Sequence, residues 1–132
     1  MSVVHNLSCL LVVLMLLGEG CGSDGPPASS EGCADVIDVN VSRTGTGIYT
    51  FDVTVHSADT GWDKYADQWE VVAPDGSVLG SRILAHPHVD EQPFTRSQSG
   101  IVISEEISGV IVRARDSVEG FCGAVVEVAV PR

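Results

Sequence analysis

Residues Tyr49, Phe51, Val53 and Val55 alternate without a break with Thr50, Asp52, Thr54 and His56. Successive side chains of an extended strand point to opposite faces. This octet therefore presents one apolar face inward and one polar face outward, which is the pattern of a half-buried β-strand. The rest of the chain agrees. It holds 21 valines, 17 of them after position 33, together with 14 glycines. β-Branched residues pack well on a pleated surface and favour strands. Residues 36–41 alternate in the same way, with Ile37, Val39 and Val41 on one face. Residues 42–47 carry the Gly and Thr of a turn. Residues 68–73 and 77–84 flank Pro74-Asp75-Gly76, where Pro fixes the first corner and Gly takes the left-handed one, so a β-hairpin is expected. Strands are also expected over 94–103, 109–115 and 124–130, with a turn over 116–123.

Seven short strands within about 98 residues, separated by turn signals, predict an all-β sandwich of antiparallel strands. The pattern over residues 34–131 resembles an immunoglobulin or fibronectin type III domain. The resemblance implies that Trp69 is the buried tryptophan of the third strand. It extends to the architecture only, because the second strand carries no Cys and the inter-sheet bridge of antibody domains has no counterpart. A fold of this kind hosts many functions and assigns none.

Length and charge bound the function. A chain of 132 residues makes one ordinary domain. Seven Lys and Arg against 18 Asp and Glu give a net charge of −11. Nucleic-acid binding rests on clustered positive charge, so a nucleic-acid partner is excluded, and so is electrostatic docking on an anionic membrane. At 44% apolar residues the chain is too hydrophobic for general disorder.

The N-terminal part reads as an export and anchoring segment. Residues 9–17 are nine uncharged apolar residues in a row. A membrane-spanning helix needs about 20, whereas nine suit the apolar region of a signal peptide. No Lys or Arg precedes them. The following Leu16-Leu17-Gly18-Glu19-Gly20-Cys21 resembles a bacterial lipoprotein signal peptide, with Gly18 and Glu19 departing from the usual pattern. The resemblance implies a signal peptide over 1–20, lipidation at Cys21, and a protein held in the bacterial cell envelope on its periplasmic or cell-surface side. Residues 21–33 are rich in Gly, Pro and Ser and read as a flexible tether. An alternative is a secreted protein in which Cys21 keeps its thiol.

Of the four cysteines, Cys9 leaves with the signal peptide and Cys21 is the lipidation candidate. Cys33 and Cys122 remain, one before the first strand and one before the last, in an oxidising compartment that favours a disulfide. In chain-entropy terms a loop of about 90 residues closed in this way contributes roughly 4–5 kcal/mol. A reactive or metal-binding thiol pair is the weaker reading, because no CxxC spacing is present.

Two loops carry the remaining chemistry. In the first, Asp59, Asp63 and Asp67 recur every four residues and on a helical turn would share one side, with Trp62, Tyr65 and Trp69 on the other. Grouped carboxylates can hold Ca²⁺, but the spacing is not that of a helix–loop–helix calcium site. The plainer expectation is an aromatic plug, with Trp62 packed over an open end of the sandwich. In the second loop, His86 and His88 flank Pro87, which favours an extended chain and puts both imidazoles on one side. With His56 as third donor they could form a Cu²⁺ or Zn²⁺ site. Asp90 and Glu91 are alternative ligands, and Arg96 closes the loop. Loop-ordering histidines are the competing reading.

Catalysis has little support. No G-x-S-x-G turn is present, and Glu105 and Glu106, being adjacent, face opposite sides of a strand. The sequence thus predicts an exported, lipid-anchored, non-catalytic binding module. It needs no cofactor, and its partner is a protein or a small ligand. The alternative is a periplasmic metal-binding protein built on His86 and His88.

Overall fold

The computed structural model describes residues 31–132. The expected signal peptide, Cys21 and most of the tether lie outside them. Among the described residues there are seven strands and no helix: β1 (Asp35–Gly45), β2 (Ile48–His56), β3 (Ala66–Val72), β4 (Val78–Ile83), β5 (Phe94–Val102), β6 (Gly109–Asp116) and β7 (Val126–Ala129). One sheet has the order β1-β2-β5 and the other β4-β3-β6-β7. All pairings are antiparallel. The protein is a two-sheet β-sandwich, as its alternating pattern predicts.

The core lies between the sheets. Tyr49, Phe51, Val53 and Val55 of β2 turn inward, and Trp69, Val71, Val110, Val112 and Ala114 meet them from β3 and β6. Trp69 is fully buried, at 0% exposure. The β3–β4 hairpin closes as expected. The Gly76 amide donates to the carbonyl of Ala73, and Gly76 itself adopts the left-handed φ of 93°.

β1 departs from the simple alternation. A register shift between Val36 and Asp38 inserts an extra residue against β2. Such a bulge moves the side chains before it to the other face. Val36 takes the inward place and Ile37 is 50% exposed, so the expected Ile37–Val39–Val41 face holds only after the bulge. Residues 42–45 also continue the strand as far as the pairing of Gly45 with Ile48, which shortens the expected turn to residues 46–47.

β7 begins two residues later than expected, because the chain before it is bonded to β1. The Val36 amide donates to the Ala124 carbonyl (2.9 Å), and the Ala124 amide donates to Asp35 Oδ1 (2.7 Å). A Cβ at Gly123 would stand 2.0 Å from the Ala34 carbonyl oxygen, so no side chain fits there. Beside this contact the Cys33–Cys122 disulfide is formed, with the Cα atoms 5.5 Å apart. On the opposite flank Gly80 of β4 lies against Ile101 of β5, where an added Cβ would come within 2.8 Å.

The register fixes which loops share an end. Asp35 pairs with His56, Val55 with Phe94, Gln68 with Ile83 and Ala66 with Asp116. The entry of the chain, the loops over 57–65 and 84–93 and the turn after β6 therefore gather at one end of the sandwich.

Trp69 fills the centre of this core, and its removal leaves a large cavity. Trp69→Ala is expected to lower unfolding stability by about 3–5 kcal/mol, read from denaturant titration. A loss below about 1 kcal/mol would show that the site relaxes around the gap.

Candidate functional site

The loop end is organised by a buried carboxylate. Asp59 Oδ1 accepts from the Ser57 hydroxyl (2.7 Å) and the Ala66 amide (2.9 Å), and Oδ2 accepts from the His88 amide (2.8 Å). One side chain thus bolts the two loops together. Hydrogen bonds to a charged acceptor are stronger than neutral ones, and burial raises their weight. Gln92 adds a second clasp. Its carbonyl accepts from the Ser57 amide (2.9 Å), and its amide donates to Ser57 Oγ (3.1 Å) and to the His88 carbonyl (2.8 Å).

On this frame sits a stack of rings. His88 lies parallel to Phe94, with centroids 3.8 Å apart, and His86 lies 4.5 Å beyond His88, tilted by 36°. Arg96 Nη2 is 3.0 Å from His88 Nε2. A guanidinium only donates, so Nε2 accepts and the His88 proton sits on Nδ1. That nitrogen is buried without a partner. Burial, then the Arg96 charge, then His86 hold the His88 imidazole below its ordinary value, against the smaller pull of Glu91 and Asp59. His86 Nδ1 is 2.9 Å from the Pro87 carbonyl oxygen, which only accepts, so this nitrogen donates. In the neutral ring Nε2 is left as an acceptor.

A hollow of about 580 Å³ opens over the stack, with Gly61 and Trp62 on one side and residues 86–91 on the other. The volume lies within the range of small-molecule sites. Trp62 corrects the expectation of a plug. It is 68% exposed and touches Tyr65 edge-on, with centroids 5.6 Å apart, so it forms a wall of the hollow and does not cap the core. Apolar contact closes that end without it, through Ala66, Leu84 and Phe94.

The other residues singled out in the sequence separate. The three aspartates of the first loop do not share a face, because the segment forms no helix. Asp59 is the buried bolt, Asp63 is exposed, and Asp67 pairs with Arg115 at 3.3 Å. His56 lines a different hollow, beside Glu31 and Asp35, and does not join His86 and His88. Among the described residues no group of three or more His, Cys, Asp or Glu is arranged to hold a metal ion. Glu91 pairs with Arg96 at 3.3 Å, and Asp90 is exposed on the rim.

A second buried carboxylate fixes the back of the first loop. Asp116 Oδ2 accepts from Lys64 (2.7 Å) and from the amides of Val118 and Glu119 (2.9 Å each). Lys64 also donates to the Gly32 carbonyl (2.6 Å). Burial pushes this carboxyl up, but Lys64 and the two amides outweigh it and hold it below the usual range. Asp116, Lys64, Gln92 and Phe94 carry no signal in the sequence that sets them apart from ordinary loop and strand residues. Their roles follow from which loops meet.

No family model matches the chain, and no solved structure matches it. Among curated proteins, one of Halomicrobium mukohataei named "Putative lipoprotein" is 40% identical over 90 residues. The aligned part is 68% of this chain and 44% of that protein. The chain therefore spans less than half the length of this curated relative.

The neutral His88 gives a pH signature. Its folded-state value lies below the unfolded one, near 6.5. As pH falls, the unfolded chain takes up this proton first, so the His88 contribution is intact above about 6.5 and is lost below it. The unfolding midpoint should fall between about pH 7.5 and about pH 5.5, and the fall should be smaller in His88→Gln. Identical profiles for the two proteins would refute this.

Proposed function

We propose that the protein is an exported, lipid-anchored, non-catalytic binding module of the cell envelope, with the hollow between its two loops as the ligand-facing surface. The observation that carries the binding reading is the exposed Trp62, held over the hollow by loops locked through Asp59. Large exposed aromatic surface beside a concavity is costly in water and marks interaction sites. A non-catalytic role is supported by the lining itself, which holds no Ser, Thr or Cys, and by the commitment of His88 to Arg96.

Anchoring is supported by the apolar run over 9–17, by Gly20-Cys21 after it, and by the name of the curated relative. Two or three acyl chains, at about 0.8 kcal/mol per buried CH₂, hold such a protein on a membrane. We also read the strand order, β1-β2-β5 over β4-β3-β6-β7, as an immunoglobulin-like arrangement. The metal-binding alternative has less support. Arg96 already engages His88 Nε2, the Pro87 carbonyl engages His86 Nδ1, and a third donor is lacking among the described residues.

Anchoring is tested by fractionation. Cys21→Ser should release the protein from the membrane fraction or block its maturation. Wild-type protein that is wholly soluble after export would overturn the lipid anchor.

A further inference from the structure

We propose that the hollow over the His86–His88 stack takes the ammonium or guanidinium group of an organic cation. The proposal rests on the binding-module reading above and names the chemistry of its ligand. It follows from what the polar lining can offer. Asp90 and Glu91 carry carboxylates, which only accept. His86 Nδ1 donates to the Pro87 carbonyl, so the ring presents Nε2 as an acceptor too when it is neutral. These side chains are therefore acceptors, and the matching ligand group is rich in N–H donors.

Two further observations point the same way. The indole of Trp62 is 68% exposed on the opposite wall. An aromatic face attracts an ammonium or a guanidinium through its quadrupole. The charge around the hollow is negative. Asp90 has no ion-pair partner among the described residues, and Arg96, the one cation tied to this loop, is turned to His88 and Glu91. The whole chain carries −11, with six arginines and one lysine. A bound cation would relieve the repulsion at this rim, whereas an anionic ligand would meet it. An amine or guanidine brings N–H donors to these carboxylates and a charge opposite to theirs.

The probe is 1,5-diaminopentane, set against 1,5-pentanediol, in which hydroxyls replace the ammonium groups, and against cellobiose as a neutral sugar. Purified mature protein is titrated by calorimetry with a chelator present, so that a metal ion cannot account for the heat. The diamine should bind, and the diol and the sugar should bind at least about tenfold more weakly. Trp62→Ala and Asp90→Asn should each weaken diamine binding by about tenfold. Both residues are exposed, and an unchanged unfolding midpoint confirms that the variants fold. Equal binding of the diol or the sugar, no heat with the diamine, or diamine binding untouched by both substitutions would overturn the proposal. A neutral ligand whose binding is lost in Trp62→Ala would remove the cation while leaving the binding-module reading intact. Failure of membrane anchoring would remove the lipid anchor and leave the binding reading and the cation intact.

Discussion

The seam where Gly123 meets Ala34 governs this molecule. A β-sandwich buries its faces but leaves the flanks between its sheets to be closed. Here β1 crosses from its own sheet towards the chain before β7, and the backbones approach so closely that only glycine fits. The disulfide ties the same two segments covalently. From this seam the order spreads along the loop end. Gly32 is held by Lys64, Lys64 by Asp116, and Asp116 by the turn that leads to Cys122. A defect at the seam would therefore loosen the wall that presents Trp62 as well as the edge of the sheet.

The strands were legible because burial imposes a period of two, and β2 and β6 show it plainly. What was not legible depends on pairing. Ile37 sits on the wrong face because an extra residue enters the ladder opposite β2, and nothing in a run of Val, Ile and Asp announces a bulge. The regular spacing of Asp59, Asp63 and Asp67 suggested a shared face only if the segment were helical. In the extended loop they go three ways. Trp62 illustrates a general ambiguity: an aromatic in a loop has the same composition signal whether it plugs a core or stands in solvent. Here Leu84 and Phe94 belong to the core and Trp62 is left exposed, touching Tyr65. His86 and His88 stand together because Pro87 holds them two apart in an extended segment, whereas whether His56 reaches them depends on where β2 ends relative to the second loop, and it lies at a different hollow.

The polar interior has a common design. Asp59 and Asp116 are both buried, and each accepts from two backbone amides and one side-chain donor, Ser57 for Asp59 and Lys64 for Asp116. Each is placed where three segments converge. A carboxylate is suited to this because two oxygens can accept several bonds at once. The cost of burying its charge is offset by those bonds, which at Asp116 all fall on Oδ2 and include the Lys64 ammonium. The same arithmetic explains why Glu70, buried on the outer side of β3, is clamped by Arg113, which in turn lies 4.3 Å from the centre of the Phe121 ring. Lys64, Arg96, Arg113 and Arg115 are thus committed to carboxylates of the protein itself, and the surface is left acidic.

The chain enters the sandwich at the end that carries the hollow. Cys33 follows Cys21 by twelve residues, and fully extended these span roughly 40 Å at about 3.5 Å per residue. If Cys21 holds the lipid, Trp62 and the His86–His88 stack look back towards the bilayer and not out into the surroundings. The space before them is then a gap whose height the tether sets. A bulky partner arriving from outside would have to bend the module over to reach the site. A small molecule, or the slender end of another envelope-bound chain, could slip beneath it. Tether length then becomes a filter on ligand size that acts without touching a single residue of the hollow.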